Sequence, residues 1–226
     1  YMATHFGWRA AVAVLINAAL LTFISRSALV EAPESIPQPT DTKQRPDVPW
    51  VVMGIHLLFL VGIVLSAHHP VIFLGMLMMF VGYAHAYSKH QNPLLIREGL
   101  MVGFFLAGLV ILGGLQKWWL QDLLGGMSPL ALFVGATELT AITDNAALTY
   151  LGSLVEGTSE LWRYMLVAGA VTGGGLTVIA NAPNPAGFSI LKGTFPDGAI
   201  SPLRLLMAAA VPTLIAAGMF LLPTSF

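Results

Sequence analysis

The chain has 226 residues, of which 56% are hydrophobic and only 9% charged, and its mean hydropathy is +0.78. Soluble domains carry about 25% charged residues, so the composition excludes an ordinary soluble domain and indicates a polytopic membrane protein. A net charge of -1 argues against a nucleic-acid partner, and the absence of cysteine excludes disulfides and thiolate metal sites.

A spanning helix needs about 20 mostly apolar residues. On that criterion residues 8–30 form the first span, with Arg9 and Arg26 near its ends, where long basic side chains can snorkel. The apolar run begins almost at once and lacks the basic start of a signal peptide, so the chain is expected to be part of a longer protein. Residues 31–49 contain five prolines interleaved with charges and read as an extended cytoplasmic connector. Spans follow at 50–67 and 71–87, antiparallel because the turn at His68-His69-Pro70 is tight. A fourth, 98–115, carries Gly99, Gly103, Ala107 and Gly108, which permit close helix contact. Residues 116–122, with Trp118 and Trp119, read as an interfacial belt.

The apolar region 129–155 interrupts itself at 140–145. Each half reaches only about 15 Å, so it is either one broken span or a hairpin that enters and returns. Loop charge discriminates. A hairpin puts Lys43, Arg45, Lys89, Arg97, Lys192 and Arg204 on one face against Arg9, Lys117 and Arg163 on the other; a full span gives five against four. The positive-inside rule prefers the six-to-three split and hence a re-entrant hairpin entering from the non-cytoplasmic side. Residues 161–180 are expected as a further span, weakened by Gly173-Gly174-Gly175 and broken by Asn181 to Pro185, with a half-helix resuming near Ala186. The last span is 201–222.

The reading is therefore all-α, with about six spanning helices, a re-entrant hairpin and one discontinuous helix. Its segments are 1–30, the first span; 31–49, the Pro-rich connector; 50–127, scaffold helices; 128–200, a transport part; and 201–226, the last span.

The two breaks concentrate the chemistry. Broken helices at membrane depth expose carbonyls and amides, and half-helix ends add partial charges. Thr140, Thr143, Asp144 and Asn145 lie at the first break, Thr177, Asn181 and Asn184 at the second. This oxygen-rich set suits a hard cation such as sodium, with Asp144, Asn145 and Asn181 as the expected ligands. A lone carboxylate can also exchange a proton, so one site can serve both ions in alternation. The plainer reading makes Asp144 a packing residue bonded to a neighbouring hydroxyl. Glu138, one or two turns from the tip, is a second candidate and can equally face a bundle partner. Gly173 to Gly175 read as close-packing residues rather than a phosphate cradle, since no Lys-Ser/Thr follows. His56 and His85 read as core histidines.

At these residues the chain resembles a known group. Thr140-Ala141-Ile142-Thr143-Asp144-Asn145-Ala146-Ala147 is similar to the Ser-Ala-x-x-Asp-Asn-x-Pro hairpin motif of the ion transporter superfamily, which includes the NhaD-type sodium/proton antiporters and the arsenite pump subunit. Gly174 to Asn184 resembles that group's Gly-Gly-Asn-x-Thr-x-Ile-Gly-Ala-x-Ala-Asn break. Ala147 stands where the group has Pro, and Gly175 where it has Asn. The resemblance implies two inverted repeats, of which this chain supplies one hairpin and one broken helix, so it reads as the carboxyl-terminal repeat.

The expected function is sodium/proton antiport by alternating access, with sodium and protons as cargo and no resident cofactor. The expected partners are the lipid bilayer, the amino-terminal half of the same transporter and a second copy in a homodimer. The expected location is the bacterial inner membrane, carboxyl end periplasmic. The alternatives are an anion or dicarboxylate carrier of the same superfamily and a non-transporting membrane subunit. An intramembrane hydrolase is disfavoured because Gly-x-Ser-x-Gly, His-Glu-x-x-His and Gly-x-Gly-Asp are all missing, so no enzyme is expected.

Overall fold

Apolar stretches punctuated by Pro, Gly and Ser become helices separated by short turns. A π-helical turn, Ala3–Gly7, leads into α1 (Trp8–Glu31), followed by α2 (Trp50–Leu65), α3 (Pro70–Ala86), a 3-10 turn at Ser88–His90 and α4 (Ile96–Gly114). Then come α5 (Lys117–Gly125), α6 (Pro129–Ile142), α7 (Asn145–Ser153), α8 (Glu160–Gly173), α9 (Asn184–Leu191) and α10 (Pro202–Phe220). This computed structural model describes residues 3–31, 47–91, 93–195 and 198–223, and no strand occurs among them. Most of the connector expected at 31–49 lies outside the described residues.

Helix starts follow local chemistry. Ser128, Ser159 and Ser201 each accept a backbone N–H of the first turn, from Ala131 (3.3 Å), Trp162 (3.2 Å) and Arg204 (3.5 Å). Pro70, Pro129 and Pro202 occupy first-turn positions, where the missing N–H has no helical partner to lose.

Residues 31–99 form one unit and residues 1–30 with 100–226 another. In the first, α2 and α3 are antiparallel: Gly62 meets Met76, while His56, six residues earlier, stacks edge-on against Phe80 and Tyr83. In the second, Leu120, Leu124, Leu132, Ala136, Val155, Trp162 and Leu166 make one buried cluster, and Phe6, Phe133, Tyr164, Ala168 and Phe220 another. The outward faces of α1, α4 and α10 are apolar, with Leu15, Phe104 and Leu214 all exposed. That suits a chain whose solvent is lipid.

By length and composition two described helices can cross a membrane, Ala3–Ala28 and Pro202–Phe220; α4 and α5 make a third only if the pair, bent by 81°, is one span. At 16 and 17 residues, α2 and α3 extend only ~24 and ~26 Å, short of a hydrocarbon core of about 30 Å. The sharp bend before α5 fits the interfacial reading of that segment: Trp118 is exposed while Leu120 and Leu124 are buried. An ion pair from Lys117 to Glu156 ties α5 to the loop after α7, and the Lys117 ammonium holds the Glu156 carboxyl below its usual range.

Arg9 corrects one expectation. It is 2% exposed and does not snorkel. Its guanidinium donates to the carbonyls of His5 (2.9 Å), Leu222 (3.2 Å) and Pro223 (3.1 Å) and lies over the rings of Trp8 and Tyr164. It therefore satisfies carbonyls beyond the end of α10, a favourable place for a cation.

Candidate functional site

The site is built on α8, whose Gly169 and Gly173 lie four residues apart on one face. A Cβ at Gly169 would run into the Phe133 carbonyl and lie 2.8 Å from Ala136 Cβ; one at Gly173 would run into the Thr137 carbonyl and lie 2.9 Å from Thr140 Cβ. Only glycine lets α6 and α8 approach this closely. Contact positions rise together on the two helices, so they run in the same direction. On α7 the order reverses: Gly152 meets Leu166, and Asn145, seven residues earlier, lies beside Gly174. The tip joining α6 to α7 is thereby carried to the carboxyl end of α8.

α8 ends there too, at Gly173, earlier than the expected 180. α9 resumes at Asn184 rather than near Ala186, because Pro185 falls within its first turn, where no helical N–H is required. The open chain from 174 to 183 lies against the first break. Asn145 N donates to Ala180 O at 3.1 Å, and Thr177 Oγ1 donates to Ala141 O at 2.7 Å.

Asp144 is buried, at 9% exposure, in extended backbone (φ -147°, ψ 142°) as the N-cap of α7. Its Oδ1 accepts the N–H groups of Ala146 (2.8 Å) and Ala147 (3.2 Å). Both bonds fall on one oxygen, and Oδ2 has no protein donor among the described residues. Thr140 is fully buried with its hydroxyl unpartnered. Thr143 donates to Leu139 O (2.7 Å) and Asn184 Nδ2 donates to Gly174 O (2.8 Å) and Thr177 O (2.9 Å). Asn181 has no side-chain bond among the described residues. A cleft of about 820 Å³ brings Thr143, Asp144 and Asn181 to one side of a space whose other side is apolar α4, including Met101, Phe105 and Leu109.

The predicted residues therefore divide. Asp144, Asn145, Thr143, Thr177 and Asn181 come together where the breaks meet, with Thr140 against α8 beneath them. Asn184 joins them through carbonyls of its own break. Glu138 does not join them: it is exposed on α6, about 150° around the helix from the residues that meet α8, in a stripe with Leu130, Val134 and Ile142. The wall supplied by α4 has no sequence signal beyond its apolarity, and its glycines are not a tight packing face: Gly99, Gly103 and Gly108 each have open space where a Cβ would stand. The Gly169-x-x-x-Gly173 spacing was a readable signal for the α6–α8 contact.

The model of a family described as "Putative Na+/H+ antiporter" matches residues 1–223. The chain belongs to that sodium/proton antiporter family. No curated protein and no solved structure matches it. The cleft holds a buried carboxylate with one uncommitted oxygen together with the amide of Asn181.

Proposed function

We infer that this chain carries the ion-coupling part of a sodium/proton antiporter working by alternating access, with Asp144 as the coupling carboxylate. The observation that carries the reading is the meeting of two interrupted helices at Asp144. A buried carboxylate at membrane depth is costly unless it has partners or a function, and here only Oδ1 is engaged by protein. Oδ2, with the oxygens of Thr140, Asn145 and Asn181, supplies hard ligands of the kind sodium takes. Thr143, Thr177 and Asn184 hold the surrounding carbonyls and keep oxygen lone pairs for a cation. Sodium binds the ionised carboxylate, and a proton neutralises it. The two ions then compete for one group, and exchange follows if only the loaded carboxylate permits the change of access.

The reading extends to architecture. The direction of α6 with α8 and of α7 against α8 supports a re-entrant hairpin with its tip at Thr143 and Asp144. Arg9, Lys117 and Arg163 gather at one end, since Arg9 lies over Tyr164 while Lys117 pairs with Glu156. Trp8, Trp118 and Trp119, all exposed, share that end as an aromatic belt would. This clustering favours the six-to-three charge split, a non-cytoplasmic position for that end and a periplasmic carboxyl terminus in a bacterial inner membrane. On the same reading the protein is NhaD-like, pairs with an amino-terminal half and forms homodimers.

The test is flux in proteoliposomes holding the complete transporter, with sodium and pH gradients imposed separately. An outward sodium gradient should drive protons in, and a proton gradient should drive sodium against its own. Movement of either ion without the other would refute antiport.

A further inference from the structure

The unit formed by α2 and α3 contains a cavity that the transport reading leaves unused. It measures about 530 Å³ and opens at the end of α3, lined by His85, Ser88, Lys89 and Gln91 on its polar side and by Leu94 and Ile96 on its apolar side. Gln91 fixes the wall: its amide nitrogen donates to Ala84 O, and its oxygen pairs with His56 Nε2 at 3.1 Å. His56 Nδ1 also lies 2.7 Å from Val52 O; a ring with one N–H donates to one of these two oxygens at a time, and Gln91 lies against both helices of the hairpin.

Its charge is one-sided. His85 and Lys89 stand four residues apart and exposed, and the lining contains no acid, the nearest in sequence being Glu98. Among the described residues the single ion pair is Lys117 with Glu156, and Lys89 has no carboxylate partner there. The cavity sits where the apolar helix α3 ends, which is headgroup depth if α3 is embedded in a bilayer. Beside it Leu95 and Ile96 are exposed.

We propose that this cavity binds the headgroup of an anionic phospholipid. The phosphate is held by the Lys89 ammonium, the Ser88 hydroxyl and the His85 ring, and the acyl chains lie along Leu95 and Ile96. A basic pocket at a helix end is what such a lipid recognises. The apolar side favours a lipid over a free anion, which has nothing to place there. The assignment does not depend on which ion the protein carries.

Native mass spectrometry of the full chain, with phosphatidylglycerol and phosphatidylcholine added in equal amounts, tests the proposal. Phosphatidylglycerol should be retained preferentially, Lys89→Gln should weaken that retention about fivefold, the contribution of one basic residue near an anionic surface, and His85→Gln should weaken it further. Lys89→Arg should restore it, and Arg204→Gln should leave it unchanged. Both Lys89 and His85 are exposed, so these variants test binding and not folding. Equal retention of the two lipids, equal loss with Arg204→Gln, or displacement of the lipid by excess inorganic phosphate would each overturn the proposal.

Discussion

At the first break only Thr143 and Asp144 leave the helical conformation, and Asp144 itself receives the amides exposed by the next helix. At the second the chain stays open from 174 to 183, and two of its carbonyls, Gly174 and Thr177, are taken by the side chain of Asn184 at the start of the next helix. The short break is thus capped by a charge, and the long one is clipped by neutral amide donors. A carboxylate cap keeps a charged oxygen in reserve, whereas the Asn184 amide, with both protons donated, keeps only a neutral one. This difference makes Asp144 the better candidate for a titrating, ion-exchanging group and Asn184 the better candidate for a strut.

The largest effect should come from Asp144→Asn. The substitution keeps the shape and a cap oxygen but removes the titrating charge. Sodium-dependent proton movement by the complete transporter should fall to the level of empty vesicles while the protein still purifies as a folded species. In the parent, sodium and protons should compete for the site, because one carboxylate serves both, and in Asp144→Asn that competition should vanish. Parental exchange in Asp144→Asn, combined with its loss in Glu138→Gln, would move the coupling role to Glu138.

Next in size are the glycines that open the second break. Gly173 packs against backbone of α6, whereas Gly175 has open space around it. Gly173→Ala should therefore cost about 1–3 kcal/mol through overpacking, and Gly175→Ala should stay within about 0.5 kcal/mol. Thermal melting in detergent reads both. Equal losses would mean that α6 and α8 can separate without penalty.

These glycines also show how far the sequence could be read. The apolar runs at 8–30, 50–67, 71–87 and 98–115 fall within a few residues of α1 to α4, because Pro and Gly punctuate them and helix ends follow local chemistry. The end of α8 falls at Gly173 and not at 180 because Gly173 to Gly175 tolerate helix or turn equally, so residue type does not fix the stop. The burial of Arg9 is not legible locally, since two of its acceptors, Leu222 and Pro223, lie at the other end of the chain. Residue type sufficed to gather Asp144, Asn145, Thr177 and Asn181 as a set. It could not tell which side chains are committed to backbone carbonyls, since that depends on the path from 174 to 183.

A smaller effect is expected at Asn184. Asn184→Ala leaves the Gly174 and Thr177 carbonyls without their donors, a loss of about 2 kcal/mol when buried acceptors go unsatisfied. Asn184→Asp should be worse, because an acceptor then faces two acceptors. Melting temperature should fall in both, and sodium should raise it by the same increment as in the parent. Loss of that sodium-dependent increment would turn the strut into a ligand.

The smallest effect separates the same two roles at Thr177, which stands where the breaks touch. Its hydroxyl donates to Ala141 O near the end of α6, one of the carbonyls a helix leaves without an internal partner. Donation uses the proton and leaves the oxygen's lone pairs, so Thr177 can be a strut and still face a cation. Thr177→Val keeps the volume and removes both capacities. Interhelical hydrogen bonds in membranes average about 0.6 kcal/mol, so Thr177→Val should lower stability by about that amount. If Thr177 is only a strut, the decrease is the same with and without sodium, and Thr177→Ser restores it in both conditions. A deficit seen only with sodium present would show that the second break contributes a ligand of its own, and the contrast between a charged, exchanging break and a neutral, clipped one would no longer hold.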